Sequence, residues 1–283
     1  MNNLVFGPSG RGAELNDKSL GTQDVLKILC SKNLHAYEHS FTHGVVLSNE
    51  KAQLVADICK QCNITLSVHA PYYINLANPN PEMIQKTFGY FEQCLEKMKI
   101  LGAKRLVFHP GSQTGQSRAQ AFENTKNNMR VLVNRLRQKG LLQNDVQLCP
   151  ETMGKKAQIG SVAEIAELCK IDPCLVPTID FGHINAFEGG SLKSVADFEA
   201  VLDTFVGAIG ERAKCLHVHF SKIEYSAGGE KRHLNFCDEG EPNYKFMLQA
   251  IKNKKMWGEI ISESAGNQVC DSIEMKDYWE SLK

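Results

Sequence analysis

The run Cys215-Leu216-His217-Val218-His219-Phe220 decides the reading of this chain. In an extended strand, residues two apart share a face, so His217 and His219 point one way and Leu216 and Val218 the other. A strand backed by helices turns its aliphatic face toward them and leaves the histidines to the interior. Neutral imidazole is the commonest nitrogen ligand for zinc, so two histidines at a strand end form a candidate metal site. The plainer alternative is a pair of hydrogen-bonded core histidines.

Outward from that run the chain repeats one pattern. Short apolar or β-branched runs at 4–6, 35–39, 64–69, 105–109, 146–151, 175–180, 215–219 and 259–263 read as strands. Longer amphipathic stretches at 22–31, 49–62, 81–101, 117–139, 161–169, 195–207, 244–252 and 271–282 read as helices. Pro81 suits a first helical turn, Ser161 with Glu164 makes a capping box, and Gly102 and Gly140 stand as helix stops. Eight strands alternating with eight helices predict an α/β fold, a TIM (β/α)8 barrel, as one domain over 1–283. An open doubly wound sheet is the alternative. The glycine-rich segment 7–12 does not run straight into a helix, so it is no phosphate loop of the nucleotide-binding kind.

Composition sets bounds. The 283 residues are 42% hydrophobic, enough for a large core, and Lys+Arg 32 balances Asp+Glu 32, so no global charge draws the chain to nucleic acid. A local basic patch stays open. No apolar run approaches the ~18 residues of a membrane span, and the first ten residues, MNNLVFGPSG, lack the pattern of a secretory signal. A cytoplasmic location, no membrane partner and reduced thiols for the ten cysteines are therefore expected. Cys59 and Cys62 form a CxxC inside the helical stretch 49–62, with no second CxxC to complete a zinc site.

The barrel makes a functional prediction, because active sites of such barrels lie at the C-terminal ends of the strands. Those ends carry His69, His109, Glu151, Asp180, His217 with His219, and Glu263, all good metal donors. His183, three residues past Asp180, and His233, in the polar stretch 228–233, add two more from what read as loops. That is more than one ion needs. Histidines with bridging carboxylates suit two or more divalent ions, zinc foremost with manganese as an alternative, which activate water and stabilise phosphoryl oxygens. Phosphoester hydrolysis is the chemistry such a set favours, with Glu151 and Glu263 as the candidate catalytic carboxylates.

Five runs sharpen this: 69–76 (HAPYYINL), 109–112 (HPGS), 150–152 (PET), 179–183 (IDFGH) and 261–263 (ISE). Together they resemble the endonuclease IV family, apurinic/apyrimidinic endonucleases on a TIM barrel of the xylose isomerase-like superfamily with a trinuclear zinc site. The resemblance covers most of the chain in the right order. It implies hydrolysis of the DNA backbone 5′ to an abasic site through a zinc-bound hydroxide, with damaged DNA as partner and two or three zinc ions per chain. By it, His69 and His109 hold one zinc, and Glu151 bridges to a second completed by Asp180, His217 and Glu263. His183 and His233 hold the third, and Tyr72 sits in the loop that enters DNA at the lesion. The family carries an Asp two residues before the last loop histidine, where this chain has Lys231. A protonated Lys is no ligand. Either Glu230 or His219 supplies the missing donor, or only two metals bind, or Lys231 and Arg232 hold a DNA phosphate in its place.

A second reading stays open. Glu151, Asp180, His217 and Glu263 alone would suit the single-metal site of a sugar isomerase or epimerase of the xylose isomerase-like class, with a small sugar as partner. A third is a binding barrel without activity. Glu38 ends strand two and reads equally as a site residue or a salt-bridge partner, and Arg11 and Lys222 as phosphate contacts or surface charges.

Overall fold

The computed structural model describes residues 3–15, 20–42, 44–143 and 145–282. The leader reading touches Met1 and Asn2, which lie outside the described residues. Eight parallel strands follow the barrel rule: β1 (Leu4–Pro8), β2 (Ala36–Ser40), β3 (Thr65–His69), β4 (Arg105–Phe108), β5 (Gln147–Pro150), β6 (Ile179–Asp180), β7 (Cys215–Phe220) and β8 (Trp257–Ser262). Ladders join β2, β3, β4 and β5 in order, and β6, β7, β8 and β1 in order. Two seams close the ring. His35 N–H donates to Phe6 O and Gly10 N–H to Glu38 O between β1 and β2, and Val176 and Thr178 N–H donate to Leu148 O and Pro150 O between β5 and β6.

The helices are α1 (Thr22–Ser31), α2 (Asn49–Gln61), α3 (Pro81–Leu101), α4 (Arg118–Gln138), α5 (Val162–Cys169), α6 (Phe181–Glu188), α7 (Val195–Ile209), α8 (Tyr244–Asn253) and α9 (Gln268–Ser281). Ser48, Asn80, Ser117 and Ser161 cap α2, α3, α4 and α5 through their side-chain oxygens, satisfying N–H groups the helices leave open. The expected eight helices are present with ends moved by a few residues, and α6 is additional. It escaped the sequence reading because Phe181 through Ala186 are all buried, so no polar face marks a helical period.

Two antiparallel ribbons decorate the C-terminal rim: 111–112 with 158–159, and the hairpin 222–226 with 229–234. The main apolar core lies between strands and helices, while a separate small cluster of Val107, Cys149 and Val176 sits inside the barrel. The rest of the interior is polar and buried, including Glu38, Ser67, Arg105, Glu151, Asp180, His217, His219 and Glu259. Burying that many ionisable groups is tolerable only when they pair with one another or with metal.

Candidate metal centre

Five strand ends deliver one donor each to a common bowl. His69 ends β3, His109 follows β4, Glu151 follows β5, Asp180 ends β6, and Glu263 follows β8. Glu151 is the hub. Its Oε2 lies 3.3 Å from His69 Nε2 and 3.2 Å from His109 Nε2, while its Oε1 lies 3.0 Å from His219 Nδ1. Burial alone would raise its pKa, but the imidazoles of His219, His109 and His183 outweigh it and hold the carboxyl well below the usual range.

The structure sets the two histidines of β7 at different depths. Strand β7 runs on through Phe220, so His219 rather than His217 stands at its inner end. His217 lies one layer deeper, its Nε2 2.9 Å from Glu38 and its Nδ1 3.5 Å from Glu259. His219 takes the place expected for it, grouped with Glu151, Asp180 and Glu263 so that their donor atoms lie within 4.8 Å of one another. The other two groups on the bowl are His69 with His109 and Glu151, and His183 with Glu230 and His233.

Local structure aims these donors. Asp180 is the N-cap of α6. Its Oδ1 accepts from His183 N–H at 2.7 Å, which leaves Oδ2 buried without a hydrogen-bond partner and 3.4 Å from His183 Nδ1. Burial and the nearby Glu151 and Glu263 raise the Asp180 pKa against the pull of His183. His183 therefore sits in the first turn of a helix, not in a loop. Its Nδ1 donates to Thr152 O at 3.0 Å, a contact that only a protonated nitrogen can make, and its Nε2 lies 3.5 Å from Glu230. His69 Nδ1 likewise donates to Ala70 O at 2.8 Å, and His233 Nδ1 to Glu263 O at 2.7 Å. In each case the opposite nitrogen is left for the bowl, as metal-binding imidazoles require.

Glu230 and His233 ride on the rim hairpin, also read as loop. The hairpin pairs Glu224 with Arg232 and Tyr225 with Glu230, so Lys231 is an extra, bulged residue. Lys231 and Arg232 are exposed and both pair with Glu224, at 3.2 and 2.7 Å. Lys222 is likewise engaged, donating to Phe236 O and Asp238 O at 2.7 Å each, and Arg11 donates to Leu20 O. Gly229 lets the hairpin dock: its φ is +94°, and a Cβ there would lie 2.1 Å from Gly154 O.

The donors open into a cavity of about 240 Å³, whose rim includes Tyr72 and Lys155. Tyr72 is 56% exposed, with its ring 5.4 Å from that of Tyr73. Sequence reasoning missed Lys155, because only the backbone bridge from Lys155 to Gly229 brings it to the rim. It also left Glu38 undecided.

The donor set fits divalent metal. His69 is pushed up to about 9 and His183 to about 10, although burial opposes this, by Glu151 among others for the first and by Asp180 and Glu151 for the second. His219 is likewise raised well above its ordinary value against burial, by Glu38, Glu263 and Glu151. Such a field calls for positive charge, which protons supply when metal does not. The orphaned Asp180 Oδ2 points the same way.

A family model described as xylose isomerase-like TIM barrel matches residues 30–281. The chain belongs to that family. An uncharacterized protein of Methanocaldococcus jannaschii is 34% identical over 280 residues, covering 98% of this chain and 97% of its own length. The probable endonuclease 4 of Listeria monocytogenes is 32% identical over 196 residues, which is 67% of this chain but only 60% of that protein. Among solved structures of this barrel family, endonuclease IV from Thermus thermophilus superposes with a TM-score of 0.71 at 21% identity, covering 99% of this chain and 100% of that one. A D-tagatose 3-epimerase-like protein superposes as well, with 0.72 at 19% identity over 100% and 98%. The barrel is thus common to nuclease and epimerase alike, and the choice between them rests on the site.

No described helix is long and apolar enough to cross a membrane.

Proposed function

We propose that the chain is a metal-dependent phosphodiesterase that cleaves DNA 5′ to an abasic site, in the manner of endonuclease IV. The observation that carries this reading is the donor arrangement: three groups share one bowl, and Glu151 belongs to two of them. A single-metal isomerase needs one such group. A phosphodiester needs charge at both its attacking and its leaving oxygens, which several ions on one bowl provide. The similarity to the Listeria endonuclease 4 supports the same substrate.

On this reading His69, His109 and Glu151 hold one ion, Glu151, Asp180, His219 and Glu263 a second, and His183, Glu230 and His233 a third. Divalent zinc, or manganese, supplies there the Lewis acidity that makes water nucleophilic at neutral pH. The protein's own groups do the rest. Both oxygens of Glu151 are engaged by imidazoles and its basicity is low, so Glu151 would serve as a ligand shared by two donor groups rather than as a base, and Glu263, on the cavity lining, would be the carboxylate left for proton transfer. Lys155 offers a cation to a phosphate oxygen from the rim, and Tyr72 fills the space left by the missing base.

The test is a duplex carrying one abasic site, incubated with protein whose metal content has been measured. Two or three zinc ions per chain with cleavage 5′ to the lesion supports the proposal. A single manganese with turnover of a ketose would favour the epimerase reading instead, for which Glu151, Asp180, His219 and Glu263 suffice by themselves.

A further inference from the structure

A second cavity, of about 460 Å³, lies on the outer side of the barrel wall, between β2 and the first turns of α1 and α2. Its size falls in the range of small-ligand sites, about 300–1,000 Å³. None of the metal donors lines it. Ser40 borders both this cavity and the bowl, so the two are neighbours on one rim.

Alternation along β2 places the cavity. Glu38 points into the barrel toward His217, so Tyr37 and His39 point outward, and both line the space. Its wall has two characters. Val25 of α1, Leu47 and Val55 of α2 make an apolar side. Lys51, one helical turn before Val55, and Arg11 bring two cations. Arg11 Nη1 donates to Leu20 O at 3.0 Å, which holds the guanidinium at the edge and uses one of its five N–H groups.

The start of α1 adds a third positive element. Its N-cap is Gly21, so no side-chain oxygen covers the helix end, and Gly21, Thr22 and Gln23 all line the cavity. First-turn N–H groups have no acceptor within their own helix, and the helix dipole favours an anion beside them. No Asp or Glu is among the described residues that line the space. The acids of this region are turned elsewhere: Asp24 accepts from Gly21 N–H at 2.9 Å, and Glu14 from the N–H groups of Val269 and Cys270.

Tyr37 gives an independent sign of a ligand. It is only 4% exposed, and its hydroxyl has no hydrogen-bond partner among the described residues, whereas a buried tyrosine hydroxyl usually finds one. The cavity it lines is where such a partner would sit.

We propose that this cavity is a second ligand site, for a small phosphate monoester with an apolar organic part. A phosphate monoester carries about −1.5 to −2 charges at neutral pH, which matches Arg11, Lys51 and the start of α1 together. A carboxylate brings only one. The organic part packs on Val25, Leu47 and Val55, and the Tyr37 hydroxyl donates to a ligand oxygen. The site stands apart from the metal-centre reading, since it shares none of its donors.

The test is calorimetric titration of the intact chain with phenyl phosphate, with inorganic phosphate and benzoate as comparators. Phenyl phosphate should bind saturably and more tightly than either. Arg11→Gln and Lys51→Gln should each weaken it by about 10-fold. Tyr37→Phe should weaken it by about 3-fold yet leave the thermal midpoint of the ligand-free protein unchanged or higher, because the hydroxyl has no partner to lose. A Tyr37 hydroxyl of purely structural importance would show the reverse pattern. In nitrogen–proton spectra the amide signals of Thr22 and Gln23 should move during the titration, which separates this cavity from phosphate bound at the bowl. A dissociation constant above about 1 mM overturns the proposal, the weak end for a small ligand. So do shifts confined to residues of the bowl, or equal affinity for phenyl phosphate and either comparator. Displacement of phenyl phosphate by a duplex ending in a 5′ phosphate overturns it too, because the cavity would then belong to the nucleic-acid strand.

Discussion

Glu230 and His233 face the same cavity although they stand three residues apart on one β-strand, with Glu230 Oε1 3.8 Å from His233 Nε2. In a regular strand, residues three apart point to opposite faces. The bulge at Lys231 shifts the alternation by one and brings them together. The donor that Lys231 cannot provide is therefore offered by its neighbour. Glu230→Gln should lower the metal content by one ion per chain. Lys231→Asp should leave it unchanged, because position 231 faces Glu224. Elemental analysis of the two variants checks both, and a gain of metal in Lys231→Asp contradicts the assignment.

Asp180 combines a cap and a donor, one oxygen for each. Asn caps helices about as well as Asp. Asp180→Asn should therefore keep the thermal midpoint of the metal-free protein at or above that of the wild type, since it also removes a buried charge whose pKa is already raised. The same variant should lose one ion from the centre. Asp180→Ala loses the cap as well, which costs about 1 kcal/mol of stability. Calorimetry with and without chelator separates the two effects.

Metal uptake should depend on pH, with a definite sign. His69 and His183 titrate near 9 and 10 in the metal-free protein, so both are protonated at neutral pH. A metal binds the neutral ring, so it must displace those protons. Affinity for each of the two ions these rings would hold should rise with pH by roughly one power of ten per unit between about pH 6 and 8, and flatten once its ring is neutral. Calorimetry in two buffers of different ionisation enthalpy counts the released protons. Binding that releases none would contradict these shifts.

Arg105 anchors the floor of the barrel. It pairs with Glu259 at 3.3 Å and donates to Gln147 Oε1 and to the carbonyls of Cys215 and Leu216. Both charged partners are buried. Arg105→Met leaves the buried Glu259 with only His217 beside it and should cost about 3–5 kcal/mol in urea unfolding. Adding Glu259→Leu should recover much of the loss, because the two apolar side chains no longer strand a charge. A double variant as unstable as the single one would show that the carbonyl contacts dominate instead.

The sequence by itself determined the order of strands and helices, the closed barrel, and five of the strand-end donor candidates: His69, His109, Glu151, Asp180 and Glu263. These are legible because a strand's C-terminal end is a local feature, marked where an apolar run stops, and the barrel sends all such ends to one rim. Tertiary structure alone decided the rest. His217 and His219 have the same parity, so sequence periodicity cannot rank them. Their depth is set by the register of β7 against β8, which pairs His217 with Glu259 and His219 with Ile261. Glu230 enters the site through a bulge, and Lys155 through contact with a distant hairpin. Glu38 and His217 meet across 179 residues of chain. Contacts of that kind depend on which strands become neighbours and at what level, and no local pattern in the chain encodes that.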